Sequence, residues 1–281
     1  MNSQNQITNP RSSIFNPQFI TLLTDFGLRD YFVPAVKGVI YTINPQVQIA
    51  DLTHEVAPHD IASAAFILAA CYRDFPRNTI HLVVVDPGVG SERRAIVIEA
   101  GDYQFVGPDN GVFSYVYARE AGIRVFHVTS DEVIGGRNSR TFQGRDLFAP
   151  VAAWLSRGLS PGALGEEIED YIKLEIQKPK VNGQKIEGSI IHIDRFGNCI
   201  TNLTLGEFPL ERVRQPGVKL EFAGREVTRF CTHFAEAAGS GELFAYPGSA
   251  GYWEIAIWCG SAAEVTGAQV GDHVIGTMEH R

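Results

Sequence analysis

The sequence has few cysteines, no excess of positive charge and no long apolar run. Its four cysteines are widely separated and form no C-x-x-C pair, so neither a structural zinc site nor a disulfide framework is expected. Lys and Arg number 24 against 32 Asp and Glu, and no basic block is present, which argues against nucleic acid as a partner. No segment approaches the ~20 apolar residues that span a membrane. A cytoplasmic protein with reduced thiols is expected.

The composition is that of a globular protein, with 44% hydrophobic and 20% charged residues among 281. Residues 1–17 differ from the rest, because they are rich in Asn, Gln and Ser and have no apolar period. They also lack the basic start and apolar run of a secretory signal. We therefore expect a disordered tail at 1–17 and folded structure after it.

Strand and helix patterns alternate through an N-terminal domain assigned to residues 18–177. This alternation predicts an α/β fold, with a mostly parallel sheet and helices on both of its faces. The predicted strands are Phe19–Thr24, Val47–Leu52, Thr79–Val85, Ala95–Glu99, Tyr103–Val106 and Arg124–Val128, the fourth and fifth forming a hairpin. The predicted helices are Tyr31–Ile43, Ile61–Arg73, Val112–Ala121 and Arg145–Arg157.

The pattern changes after about Gly165, where short strands replace the alternation. Residues 178–184, which begin Lys-Pro-Lys, are interpreted as a linker. Residues 185–281 are predicted to form a smaller all-β domain, either a barrel or a sandwich. Its strands are expected at Gly188–Ile193, Val218–Phe222, Tyr252–Ile257 and His273–Thr277.

Two acidic residues follow predicted parallel strands, at the edge of the sheet where ligands bind in α/β proteins. Asp25 follows the first strand, and Asp86 follows the third and opens an Asp-Pro-Gly-Val-Gly turn. Asp86 is either a site residue or the cap of its own turn. Arg93 comes soon after and would keep a neighbouring carboxylate ionised, unless it forms only a surface ion pair. The loop Thr141–Asp146 enters the next predicted helix, and its acidic end is also explained by capping.

The histidines give little support for a metal site. His54 and His59 flank Glu55 without the H-E-x-x-H spacing of a helical zinc site, so no metal is expected. An unrelated α/β hydrolytic enzyme that uses Asp25 and Asp86 as metal ligands remains an alternative.

Polar and aromatic residues interrupt the predicted strands of the second domain. They occur in Asp194-Arg195-Phe196-Gly197-Asn198, at Phe234, and in Ser249-Ala250-Gly251-Tyr252. Phenylalanine rings and an Asn amide suit the faces and edge of a purine. The alternative is that both phenylalanines belong to the core.

These segments, taken in order, resemble the S-adenosylmethionine (SAM) hydroxide adenosyltransferase family, which is related to bacterial fluorinases and chlorinases. Six ordered motifs carry the resemblance over nearly the whole chain after the tail. They are Leu23-Thr24-Asp25-Phe26-Gly27 with Asp30, Val85-Asp86-Pro87-Gly88-Val89-Gly90 with Arg93, Gly107-Pro108-Asp109-Asn110-Gly111, Thr141-Phe142-x-Gly144-Arg145-Asp146, Asp194-x-Phe196-Gly197-Asn198 and Ser249-x-Gly251-Tyr252.

The resemblance implies a homotrimer that holds SAM, as substrate and without a cofactor, between the first domain of one subunit and the second domain of its neighbour. It places Asp86 and Arg93 at the attacking water. It implies that Asp25 binds the ribose hydroxyls and Asp30 the methionine amino group. The remaining substrate-binding residues that it implies are Asp194, Phe196, Asn198 and Phe234, the last three around the adenine, with Ser249 near the methionine carboxylate and Tyr252 in the same motif.

Two positions depart from the pattern of the family. Gln143 stands where the hydrolases carry the His of their Asp, Arg and His set, and Ala250 stands where the halogenating relatives carry Arg. Asp86 occupies a position that is aromatic in the halogenases, and a carboxylate there repels halide while it accepts a proton from water. The sequence therefore predicts hydrolysis of SAM to adenosine and methionine. The alternatives are a weak or inactive SAM- or adenosine-binding relative, because of Gln143, and a SAM-dependent halogenase.

Overall fold

The computed structural model describes residues 19–134 and 141–278. They form two compact units, the first ending at Leu174 and the second beginning at Glu175. The expected disordered tail, residues 1–17, lies outside the described residues. Within the described ranges, no helix is long and apolar enough to cross a membrane.

The first unit contains a mixed seven-stranded sheet. Its strands are β1 (Phe19–Thr24), β2 (Gln48–Thr53), β3 (Ile80–Val84), β4 (Ala95–Ala100), β5 (Tyr103–Pro108), β6 (Arg124–His127) and β7 (Glu167–Ile168). Their order is β2-β1-β3-β5-β4-β6-β7, with parallel pairing from β2 to β5 and antiparallel pairing from β5 to β7. Five of these strands run in one direction, while β4 and β7 oppose them. The predicted hairpin of β4 and β5 is the point at which parallel pairing stops.

Helices cover both faces of this sheet, as the alternation predicted. They are α1 (Phe32–Ile43), α2 (Ile61–Cys71), α3 (Ser114–Arg119), α4 (Asp131–Ile134) and α5 (Ala149–Ser156). Along β3, Ile80 and Leu82 pack in the cluster that contains α1 and α5, while Val83 packs in the cluster that contains α2 and α3. Because both faces are covered, β3 is continuously hydrophobic apart from the buried His81.

The predicted helix Arg145–Arg157 is divided in two. Gly144–Phe148 forms a π-helical turn, and regular α-helix begins only at Ala149. Pro150 explains the division, because it has no N–H to donate to the carbonyl four residues earlier. The π-helical turn directly follows Gln143, and such turns are frequent at functional sites.

The second unit is a nearly closed, antiparallel, barrel-like sheet. Its strands are β8 (Lys180–Asn182), β9 (Lys185–Ile193), β10 (Cys199–Thr204), β11 (Lys219–Phe222), β12 (Arg225–Val227), β13 (Leu243–Pro247), β14 (Tyr252–Ile257) and β15 (His273–Thr277), with short helices α6 (Leu210–Val213) and α7 (Ala262–Thr266). The order is β12-β11-β15-β9-β10-β14-β13, and β8 pairs with β9. Backbone bonds from Ala245 of β13 to Arg229 and Cys231, just after β12, join the two ends of the sheet. Strand β8 lies within the segment that the sequence marked as a linker.

Candidate active site

A cavity of about 290 Å³ opens in the first unit. It lies where β1 and β3 end, as expected for the carboxyl edge of parallel strands. The loop before α2 and the loop before the π-helical turn complete its wall. The lining residues are Asp25, Phe26, Phe32, Pro58, His59, Val84, Asp86, Val89, Thr141, Phe142, Gln143 and Gly144.

Asp86 and Arg93 form a buried ion pair at this cavity. Their side chains are 5% and 10% exposed. The Nε atom of Arg93 lies 3.0 Å from each carboxylate oxygen of Asp86, and its terminal nitrogen Nη2 donates to Asp86 Oδ2. The guanidinium also lies over the Phe148 ring, 5.1 Å from its centroid. Both partners are thus fixed in orientation, with the negative charge of Asp86 at the cavity wall.

Gln143 is attached to the same arginine. Its amide oxygen accepts a hydrogen bond from Nη2 of Arg93. Because an arginine only donates, the oxygen of the amide must face it, which leaves the NH2 group of Gln143 as a donor for another partner. Arg93 therefore links Asp86, which follows β3, to Gln143, which precedes the π-helical turn.

Asp25 and His59 approach each other on another part of the wall. The backbone N–H of His59 donates to Asp25 Oδ2 at 2.9 Å. His59 has a left-handed backbone with φ of 69°, is exposed and is one of the residues that line the cavity. Asp25 is half-buried and lines the cavity.

Aromatic rings form the apolar side of the cavity. Phe142 packs edge-on against Phe26 and Phe32, with ring centroids 5.9 and 5.0 Å away. Gly144 allows this packing, because a Cβ atom at this position would lie 3.0 Å from Cζ of Phe26. An apolar wall beside a fixed ion pair limits the water that reaches the cavity.

A buried histidine network supports the loop after β1. His54 Nδ1 lies 2.8 Å from the Thr24 hydroxyl, and its Nε2 lies 3.1 Å from Asp51, which also binds Lys37 at 2.6 Å. The carbonyl of His54 accepts from the N–H of Gly27 at 2.7 Å. His54 thus supports the Asp25 loop, a role that its sequence spacing did not indicate.

A second cavity, of about 780 Å³, opens in the second unit. The residues that line it are Asp194, Phe196, Asn198, Phe234, Tyr246, Ser249, Glu254, Cys259 and Gly260.

Asp194 accepts three hydrogen bonds within its own turn. Its Oδ1 accepts from the N–H groups of Phe196 and Asn198 at 2.8 and 2.9 Å, and its Oδ2 accepts from the Asn198 side-chain nitrogen at 2.9 Å. The turn also needs Gly197, because φ is 80° there and a Cβ would lie 2.0 Å from Ser261 Oγ. Asn198 Oδ1 is buried and has no partner among the described residues, so a bound molecule with an N–H would satisfy it.

A phenol and a carboxyl group face the same cavity. Tyr246 and Glu254 are paired across β13 and β14, and the Tyr246 hydroxyl donates to the Glu254 carboxylate. Burial, and to a smaller extent the charge of Asp194, raises the pKa of Glu254 above its ordinary value, although the Tyr246 hydrogen bond acts in the opposite direction. Burial and Glu254 raise the pKa of Tyr246 as well. Phe234 packs on the Tyr246 ring, with centroids 5.8 Å apart, and forms the apolar side of the cavity.

Comparisons with known proteins agree with this architecture. The model of the SAM hydroxide adenosyltransferase N-terminal domain matches residues 20–165, and that of the C-terminal domain matches residues 188–275. The chain belongs to the SAM hydroxide adenosyltransferase family. It is 36% identical to an (R)-S-adenosyl-L-methionine hydrolase from Thermus thermophilus, over 90% of this chain and 96% of that protein.

Two other relatives of this chain concern its fold and the halogenase alternative. The structure of an uncharacterised conserved protein from Thermotoga maritima is 38% identical to it and superposes with a TM-score of 0.85, covering 92% of this chain and 99% of that one. A fluorinase from Actinoplanes sp. is 27% identical over 67% of this chain and 72% of its own length. The fluorinase is therefore a more distant relative of this chain than the Thermus thermophilus hydrolase.

The structure divides the residues that the family resemblance marked between the two cavities. Asp25, Asp86 and Gln143 line the first, and Arg93 contacts two of them. Besides Arg93, two marked residues line neither cavity: Asp30 is exposed, and Tyr252 is half-buried at the start of β14. The second cavity contains the marked residues Asp194, Phe196, Asn198, Phe234 and Ser249.

Sequence reasoning did not mark three polar lining residues as substrate-binding or catalytic residues. They are His59 in the first cavity and Tyr246 and Glu254 in the second. Within residues 19–134 and 141–278, no group of three His, Cys, Asp or Glu side chains is arranged to hold a metal ion.

Proposed function

We propose that this chain hydrolyses (R)-S-adenosyl-L-methionine to adenosine and L-methionine. Water attacks C5′ of the adenosyl group, the C5′–S bond breaks with its electron pair moving to sulfur, and one proton is released. The buried Asp86 carboxylate carries the proposal, because its negative charge opposes entry of a halide and its oxygens accept hydrogen bonds from water. The (R)-SAM hydrolase name of the Thermus thermophilus relative supports the same substrate.

The catalytic group consists of Asp86, Arg93 and Gln143. Arg93 orients the other two, and the NH2 group of Gln143 donates to the attacking water or to the developing hydroxyl. Holding water in line with the C5′–S bond is the main requirement, because the sulfonium leaves as a neutral thioether. Gln143 preserves this orientation, which supports an active enzyme rather than a binding protein that has lost catalysis.

The substrate-binding roles follow the family pattern. Asp25 binds the ribose hydroxyls, and Asp30 holds the methionine amino group. In the second cavity the unpartnered oxygen of Asn198 accepts from the amino group of adenine. The other proposed contacts are Phe196 and Phe234 on the adenine faces, Asp194 beneath them, and Ser249 and Tyr252 toward the methionine end.

We further propose a homotrimer in the cytoplasm, in which one subunit contributes its first unit and a neighbour its second unit to each site. The large apolar side chains of Leu28, Tyr31 and Phe196 support an assembly, because they are 67%, 64% and 76% exposed. The four free cysteines support a reducing compartment. Sedimentation equilibrium of the purified chain tests the trimer directly.

The reaction is tested by incubating the purified chain with each sulfonium epimer of SAM in H2¹⁸O. Mass spectrometry should find adenosine carrying one ¹⁸O and methionine carrying none, with the (R)-epimer consumed. Formation of 5′-chloroadenosine in chloride buffer would identify a halogenase instead. Tight binding of SAM without any adenosine after a day would identify a non-catalytic binding protein.

A further inference from the structure

The first cavity contains an imidazole that the proposed catalytic group does not use. His59 is the only histidine among the described residues that line it. Its left-handed backbone, at φ of 69°, costs roughly 1–3 kcal/mol for a residue other than glycine. Two hydrogen bonds maintain this conformation: the His59 N–H donates to Asp25 at 2.9 Å, and its carbonyl accepts from Ile61 at 3.0 Å. Conformations of this kind cluster at functional sites.

The chemistry of hydrolysis leaves a proton to be accepted. Both oxygens of Asp86 accept hydrogen bonds from Arg93, so taking a proton there disrupts a buried ion pair. Gln143 has no titratable group, and its oxygen is bound to Arg93. Neither residue is therefore a favourable acceptor for this proton.

We propose that His59 accepts the proton released from the attacking water. This inference rests on the proposed hydrolysis and adds a residue to it. The water oxygen bonds to C5′, the sulfur leaves with the C5′–S electron pair, and the water proton passes to the neutral imidazole, directly or through one further water. Exchange with solvent then returns His59 to its neutral form.

The charges around His59 favour this step. Two carboxylates line the same cavity, Asp25 on the loop after β1 and Asp86 on the loop after β3, and both stabilise an imidazolium once it forms. Arg93, the cation of the catalytic group, is paired with Asp86. Only the neutral imidazole accepts a proton, so protonating it in acid removes the acceptor and should slow the reaction.

The experiment compares kcat across pH for the parent chain, His59→Asn and His59→Gly. Asn and Gly both tolerate a left-handed backbone, so neither variant adds strain while both remove the imidazole. We expect kcat to fall by about 10²-fold in both variants, and the decline of kcat toward low pH to disappear. Affinity for adenosine should change by less than threefold, because the backbone contact to Asp25 remains.

A second substitution makes the test specific. The double variant His59→Asn, Gln143→His has an imidazole at the other position. Its kcat should be at least tenfold higher than that of His59→Asn, and its rate should again decline in acid. A role confined to shaping the loop would leave the double variant as slow as His59→Asn.

The outcomes separate this inference from the proposed function. A parent chain that releases no adenosine contradicts the proposed hydrolysis itself. An active parent whose His59→Asn variant keeps its rate within threefold, with an unchanged pH profile, contradicts only the role of His59.

Discussion

Replacing Asp86 by Asn removes the charge that should distinguish water from halide while it preserves the size of the side chain. In the parent chain, two hydrogen bonds of 3.0 Å and a further contact join Asp86 to Arg93. Removing one partner of a buried pair costs about 3–5 kcal/mol. The loss should lie near the lower end, because the Asn carbonyl and Gln143 still accept from Arg93.

The expected size of each effect follows from this geometry. A loss of about 3 kcal/mol corresponds to a Tm lower by about 6–12 °C for a unit of this size. Hydrolysis should fall by about 10²-fold, the cost of a misplaced reactant, because the carboxylate that orients the attacking water is lost. A halide 4 Å from a carboxylate is repelled by about 4 kcal/mol at an effective dielectric constant of 20. Without that repulsion, and with the charge of Arg93 no longer neutralised by a carboxylate, chloride should bind the variant.

The assay measures adenosine release in chloride and in acetate buffers of equal ionic strength. Chloride should inhibit Asp86→Asn and leave the parent unaffected. The matched control is Asp109→Asn, because Asp109 forms a comparable pair with Arg94, at 2.7 Å, and does not line the cavity. This control should lose stability but keep its rate and its indifference to chloride.

Two results would refute the reasoning. Hydrolysis by Asp86→Asn within threefold of the parent rate would show that the carboxylate does not assist the attacking water. An equal chloride effect in Asp86→Asn and Asp109→Asn would show that the anion acts through stability rather than through the cavity.

Three further predictions concern packing and titration. Gly144→Ala should lower kcat by at least tenfold in the adenosine assay, because the new methyl group meets Phe26 at 3.0 Å. Burial lowers the pKa of His81 to about 3, so stability should fall by up to ~1.4 kcal/mol per pH unit as the pH drops from 6.5. His81→Gln should lose this acid dependence in thermal unfolding. Glu254 has a raised pKa, so its stabilising contribution is complete below its ordinary value of 4.5 and is lost as the pH rises through the raised value. The Tm of Glu254→Gln should therefore rise relative to the Tm of the parent as the pH increases.

The sequence predicted the site residues whose location follows from the strand or helix next to them in the chain. Asp25 and Asp86 follow strands β1 and β3, which pair in parallel, and parallel strands bring their carboxyl ends to one edge. Gln143 was predicted from a loop that enters a helix, and it lies on the same cavity. For these residues, local pattern and topology determine the location.

The rest of the site and of the fold depends on contacts between residues far apart in the sequence, which no local pattern shows. Tyr246 meets Glu254 through the register of β13 against β14, which is fixed by packing across the barrel. His59 lines the first cavity with a left-handed backbone, and its N–H is bound by Asp25, which is 34 residues away in sequence. In the first sheet the β4–β5 hairpin was predicted, but the pairing of β4 with β6, which makes the sheet mixed, was not.

The contact between Arg93 and Gln143 explains how the site accommodates the departure at position 143. A neutral imidazole accepts at one ring nitrogen and donates at the other, and a glutamine amide accepts at its oxygen and donates at its nitrogen. Either side chain therefore accepts from Arg93 while it presents an N–H to another partner. In the mechanism that we propose, Gln143 keeps the orientation, whereas it cannot take up a proton. Because hydrolysis must place that proton somewhere, the exchange at position 143 makes an imidazole elsewhere in the cavity chemically valuable, and His59 is located there.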